Sequence, residues 1–126
     1  MDAQRAELVE PFLDQIRDKS GAFISPLAVA RALHMSLEEL AELVRVHRNT
    51  LRRDASSPKI QRRLGEIVRI LTTAASLACD VNKAILWFRH QPLTGFRNRT
   101  AQSLVEEGRA DLVLMHLEMI EDGVYA

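Results

Sequence analysis

A chain of 126 residues with 47% apolar and 5% aromatic side chains suffices for one modest core, or for two small helical units sharing one. No apolar run reaches the roughly 18 residues that cross a bilayer, MDAQRAELVEP lacks the hydrophobic core of a signal peptide, and the lone Cys79 excludes an internal disulfide; the expectation is a cytoplasmic protein without membrane contact. The formal net charge of zero conceals segregation: residues 1–44 carry four basic and eight acidic side chains, 45–63 seven and one, and 64–126 six and eight, so a block of +6 lies between flanks of −4 and −2.

Helical periodicity runs through almost the whole chain. Leu8, Val9, Phe12, Leu13 and Ile16 repeat at helical spacing, predicting an amphipathic first helix that ends near Ser20-Gly21. Ser25-Pro26 reads as N-cap and first residue of a short helix over 26–33, because proline suits a first turn. Ser36 and Glu39 form a capping box that opens a helix over 37–44, and a further short helix spans 48–54 before the break Ala55-Ser56-Ser57-Pro58. Ile60, Leu64, Ile67, Val68, Leu71, Ala74, Ala75 and Ala78 then line one face of a long helix, and because Ile70 and Leu77 lie off that stripe, more than one side is expected to be covered. Asp80 caps a helix over 81–90 that Gln91-Pro92 ends. A loop over 93–99 leads to Thr100, which caps a short helix stopped by Gly108, and a last helix over 109–121 ends at Gly123. No strand alternation or internal repeat is present. The fold class is all-α, with an N-terminal helix-turn-helix unit over 1–56 and a small helical domain over 57–126.

Residues 36–54, SLEELAELVRVHRNTLRRD, have the layout of a helix-turn-helix. Leu40, Leu43, Val46 and Leu51 form its small core, and Ala41 lets two crossing helices approach. Arg48, Asn49, Arg52 and Arg53 then face outward with chemistry suited to base edges and phosphates. Lys59, Arg62 and Arg63 extend the strip as phosphate contacts. The alternative is a generic helical hairpin whose arginines are merely solvated. Arg45 departs from the usual pattern, since it occupies the turn where glycine is commonest.

The last helix carries a narrow polar stripe of Asp111, Glu118 and Asp122, while Ala110, Leu112, Val113, Leu114, Met115, Leu117, Met119 and Ile120 cover most of the remaining circumference. Either this helix is central within the monomer, or a second subunit or partner covers part of it.

Residues 84–126, AILWFRHQPLTGFRNRTAQSLVEEGRADLVLMHLEMIEDGVYA, resemble the C-terminal domain of the Xre/MbcA/ParS-like antitoxins. The resemblance lies in the order of Trp87, Pro92, Gly95, Thr100, Leu104, Gly108, Val113, Leu117, Ile120, Gly123, Val124 and Ala126. It extends upstream through HRNTLRR to about Ser36. Ala101 departs from the proline that usually follows the threonine, and Phe88 from the leucine that usually follows the tryptophan. The resemblance implies an antitoxin of a type II pair, whose C-terminal domain packs against a RES-domain toxin that degrades NAD and whose C-terminal end blocks the active-site entrance. Gly123, Val124, Tyr125 and Ala126 are the expected toxin-binding residues, with Leu112, Met115 and Met119 beside them. Many such proteins form homodimers and repress their own promoter, which makes operator DNA a second expected partner.

An enzyme reading finds little support. His34, His47, His90 and His116 share no metal-ligand spacing, Cys79 reads as a small buried residue at a helix end, and the glycines stand singly at turns rather than in a phosphate loop. No cofactor, metal or small-molecule substrate is expected. A stand-alone regulator that dimerises through its C-terminal half and an adaptor without DNA contact are the competing functions.

Overall fold

Hydroxyl and carboxylate caps set where most helices begin. Ser25, Ser36, Ser57, Asp80 and Thr100 each accept the backbone N–H three residues on, and the Ser36–Glu39 capping box is complete in both directions. The computed structural model describes residues 2–123. Among them are eight helices: α1 (Asp2–Ile16), α2 (Pro26–Ala32), α3 (Leu37–Leu43), α4 (Arg48–Arg53), α5 (Pro58–Ala78), α6 (Val81–His90), α7 (Ala101–Glu106) and α8 (Ala110–Glu121). The protein is all-α. Only two isolated bridges, Arg17 with Ile24 and Pro92 with Thr100, lie outside the helices among the described residues.

Three expectations are corrected. The first helix stops at Ile16, not near Ser20-Gly21, because the Asp18 carboxylate takes the Ser20 N–H and hydroxyl at 3.0 and 2.7 Å and Gly21 turns at φ +77. Ala78, at the end of the expected stripe of α5, is exposed, whereas Ile70, off that stripe, is fully buried, as expected of a helix covered on more than one side. Cys79 is exposed rather than buried: it is the left-handed C-cap of α5 at φ +55, which turns its side chain away from the core.

The core is built around α5. Ile60, Leu64, Ile67, Ile70 and Leu71 are each at most 1% exposed, and α5 packs against α1, α6 and α8. One buried cluster joins Phe12 and Ile16 of α1 to Phe88 of α6, Leu104 of α7 and Val113 and Leu117 of α8. The residue ranges 1–56 and 57–126 therefore share a core, and α3 touches α7 directly across that division.

Short helices leave a second requirement. The last four carbonyls of any helix lack partners within it, and α2, α3 and α7 have only seven, seven and six residues. Backbone amides of the following turns take most of those carbonyls, as the N–H groups of Leu33, Met35 and His34 do for Val29, Ala30 and Arg31, and three arginines from distant positions bond carbonyls at or just past the same ends. Arg89 of α6 donates to the carbonyls of Leu33 and His34 just past α2, at 3.0 and 2.9 Å, and its guanidinium also meets Gln102 and Glu39. Arg63 of α5 donates to Val44 and Arg45 past α3, at 2.9 and 3.3 Å. Arg45 donates to Val105 in the last turn of α7 at 2.7 Å. Gln61 acts similarly on the loop before α2, pairing with both the N–H and the carbonyl of Ile24 at 2.8 and 2.9 Å.

Arg89→Met keeps the apolar stem but strips the Leu33 and His34 carbonyls, just past α2, of their guanidinium donor. We expect a loss of about 2–4 kcal/mol by urea denaturation, since a charged donor to part-buried carbonyls is removed. Arg17→Met, at the exposed Arg17–Asp14 pair, should change stability by less than about 0.5 kcal/mol.

Candidate nucleic-acid and protein-docking surfaces

The short helix α4 is held by one buried residue and one unusual cap. Leu51 is fully buried, and the imidazole Nδ1 of His47 accepts the Asn49 N–H at 3.1 Å. Leu40, Leu43, Val44 and Leu51 belong to the common core, Val46 is half-buried against it, and Ala41 is 3% exposed. With Leu51 facing inward, Arg48, Asn49, Arg52 and Arg53 all face solvent. Among the described residues no ion pair engages any of them. Asn49, Arg52 and Arg53 line one shallow depression, while Arg48 and Arg52 border an apolar groove of about 680 Å³ whose floor includes Phe23, Pro26, Leu27, Leu37 and Leu51. Such a helix offers several guanidinium donors to an anionic surface.

The remaining members of the basic strip divide. Lys59 and Arg62 are exposed on the first two turns of α5. Arg63, expected as a phosphate contact, is turned inward, and its Nη1 is committed to the end of α3. Its guanidinium therefore holds the α3–α4 turn in place. Sequence reasoning missed that role because nothing local in the sequence marks the carbonyls it reaches.

Arg45 resolves the departure noted in the turn between α3 and α4. Its backbone does adopt the left-handed conformation that favours glycine, at φ +61. The side chain crosses to α7, where the stem passes the glycine Gly108 and Nη1 meets the Val105 carbonyl. Desolvation, with the Arg63 charge second, holds its pKa below the ordinary arginine value. The exposed positive φ costs roughly 1–2 kcal/mol, and a charged hydrogen bond returns about 1.5–3 kcal/mol.

The C-terminal surface centres on α8. Ala110, Val113, His116 and Leu117 face the core, and burial keeps the His116 imidazole pKa below its usual value while its ring meets Phe96 edge-on at 5.8 Å. On the outward side Leu112 is half-buried, Met115 is 46% exposed and Met119 is 37% exposed, at i, i+3 and i+7. The monomer thus covers one face of this apolar helix and leaves the other in water. Leu77, Trp87, Ile120 and the stem of Lys83 border a smaller apolar groove nearby, and Leu77, off the apolar stripe of α5, is 40% exposed. Gly123 follows the α8 C-cap at φ +80; Val124, Tyr125 and Ala126 lie outside the described residues. No cluster of three His, Cys, Asp or Glu side chains that could hold a metal occurs among the described residues.

No family model, curated protein or solved structure matches the chain.

The opposing effects at Arg45 give a ranked expectation. Arg45→Gly relieves the backbone but loses the tie to α7 and should cost about 1 kcal/mol, whereas Arg45→Ala keeps the strain and should cost about 2 kcal/mol. Equilibrium denaturation of the two variants reads the order.

Proposed function

We propose that the chain is the antitoxin of a type II toxin–antitoxin pair, neutralising a RES-type NAD-degrading enzyme by covering its active-site entrance and repressing its own operon through α4. The observation that carries this reading is the outward face of α8, where Leu112, Met115 and Met119 stay accessible directly ahead of Gly123. A helix apolar on nearly all sides, with only one side buried at home, suits burial against another protein. Gly123, Val124, Tyr125 and Ala126 complete the toxin-binding surface in this reading. The resemblance in the order of Trp87, Pro92, Gly95, Thr100 and Gly108 supports the same assignment. The DNA-binding part draws support from the outward arginines of α4, with Lys59 and Arg62 as phosphate contacts and a homodimer presenting two such helices. In this reading the protein acts in the cytoplasm, and inhibition is by occlusion, so the chain itself needs no catalytic group.

One observation favours a second reading. An exposed apolar stripe also suits a second copy, which fits a stand-alone regulator whose C-terminal half only dimerises.

Co-expression with a RES-domain enzyme separates the two. The chain is expected to copurify with the enzyme and to abolish NAD loss. Removing residues 124–126 should weaken that protection at least tenfold while leaving the thermal midpoint nearly unchanged; equal protection by the truncated chain would end the occlusion reading. For DNA, Arg48→Ala combined with Arg52→Ala should weaken promoter binding on the order of 100-fold, flatten its salt dependence and leave neutralisation intact. Loss of both properties together would indicate misfolding instead.

A further inference from the structure

We infer that the groove between α2, α3 and α4 is a binding site for an amphipathic carboxylate, an apolar body whose anionic head pairs with Arg48 and Arg52. The site is separate from the α8 surface, and its occupation does not depend on the antitoxin reading.

The groove has a volume of about 680 Å³, within the range of small-molecule pockets. It lies where α2 packs on α3 and α3 on α4, with Phe23 contributed by the loop before α2. Pro26 and Leu51 are buried at its floor, Phe23 and Leu37 are half-buried, and Leu27 keeps 48% of its surface in water. An apolar body laid there covers Leu27 and the open sides of Phe23 and Leu37, a favourable transfer from water.

The polar groups of the groove divide into those already bonded and those that are not. The Ser25 hydroxyl accepts the Ala28 N–H at 3.2 Å, and the Asp18 carboxylate accepts the Ser20 hydroxyl and N–H at 2.7 and 3.0 Å. Those bonds hold Asp18 below the usual carboxylate pKa, so it carries a fixed negative charge. Arg48 and Arg52, one turn apart on α4, are exposed. Among the described residues no ion pair or side-chain hydrogen bond engages either of them. Two guanidinium groups against one engaged carboxylate leave the rim cationic, and guanidinium donors suit the two oxygens of a carboxylate.

The combination selects the ligand. DNA answers the arginines but brings no apolar body to Leu27 and Leu37. A neutral apolar molecule covers the floor and leaves the guanidinium groups without a counter-charge, and a cationic peptide is repelled. An apolar chain or ring carrying one carboxylate meets both demands. Arg48 and Arg52 are also the donors that the proposed DNA contact uses, so an occupied groove and a DNA-bound α4 exclude each other; that consequence alone rests on the DNA reading.

The test titrates the full chain with decanoate and, separately, with decanol, below the concentrations at which either aggregates, and follows backbone amide shifts by NMR. Saturable shifts should be confined to residues 18–27, 37 and 48–55, and decanoate should bind roughly tenfold more tightly than decanol. Arg48→Gln combined with Arg52→Gln, both at exposed positions, should erase that preference while leaving decanol binding unchanged. Leu27→Asp, also exposed, should weaken both ligands. Equal affinity for the two ligands in the parent chain overturns the inference, as does a preference that survives in the double variant. So does the absence of saturable shifts, or shifts centred instead on Met115 and Met119 or on Leu77 and Trp87, which would mark detergent-like adsorption. Groove amides that move with protein concentration alone overturn it in favour of a second copy. If the parent binds no promoter DNA, the exclusion of DNA falls and the ligand site stands or falls by the shifts.

Discussion

The architecture depends on satisfying carbonyl groups at the ends of helices too short to do it themselves. A seven-residue helix leaves more than half of its carbonyls without an intrahelical donor, and α2, α3, α4 and α7 are all of that size or smaller. Packing alone does not answer this, because an apolar neighbour buries the groups without bonding them. Amides of the following turns take most of these groups, and Arg89, Arg63 and Arg45 reach from other elements to carbonyls at or just beyond the helix ends, the last two through a shared turn. Arg63 holds the α3–α4 turn from α5, and Arg45 in that turn holds α7. The same three side chains tie the N-terminal helices to the C-terminal ones, over a hydrophobic core that already ignores the division at residue 56.

Against that background, the charges that oppose their local environment stand out. Lys59 lies in the first turn of α5, where no acid offsets it, and Arg48 opens α4; both oppose the positive end of a helix. Glu118 and Glu121 make the mirror-image arrangement at the end of α8. Where a fold carries such local conflicts without compensating contacts, binding is the usual reason.

A shared core also bears on how the two surfaces work together. The α3–α4 turn is held by Arg63 from α5, and α5 packs directly on α8. The α4 and α8 surfaces therefore belong to one body, joined through α5 and through the Arg45 contact with α7.

The sequence by itself determined what depends on neighbours a few residues away. Ser25, Ser36, Ser57, Asp80 and Thr100 fixed helix starts because a cap acts on an amide three positions on, and the spacing of Ile60, Leu64, Ile67 and Leu71 placed the main apolar face because helical geometry is local. The outward position of Arg48, Asn49, Arg52 and Arg53 followed from the same periodicity around Leu51. Only the tertiary structure decided the rest. It ended α1 early through the Asp18 turn and exposed Ala78, Cys79 and Leu77. It turned Arg63 inward while leaving Arg62 in water, and gave Arg45 a carbonyl partner sixty positions along the chain. Guanidinium groups of equal local character separate in this way because their fate depends on which distant carbonyls packing brings within reach.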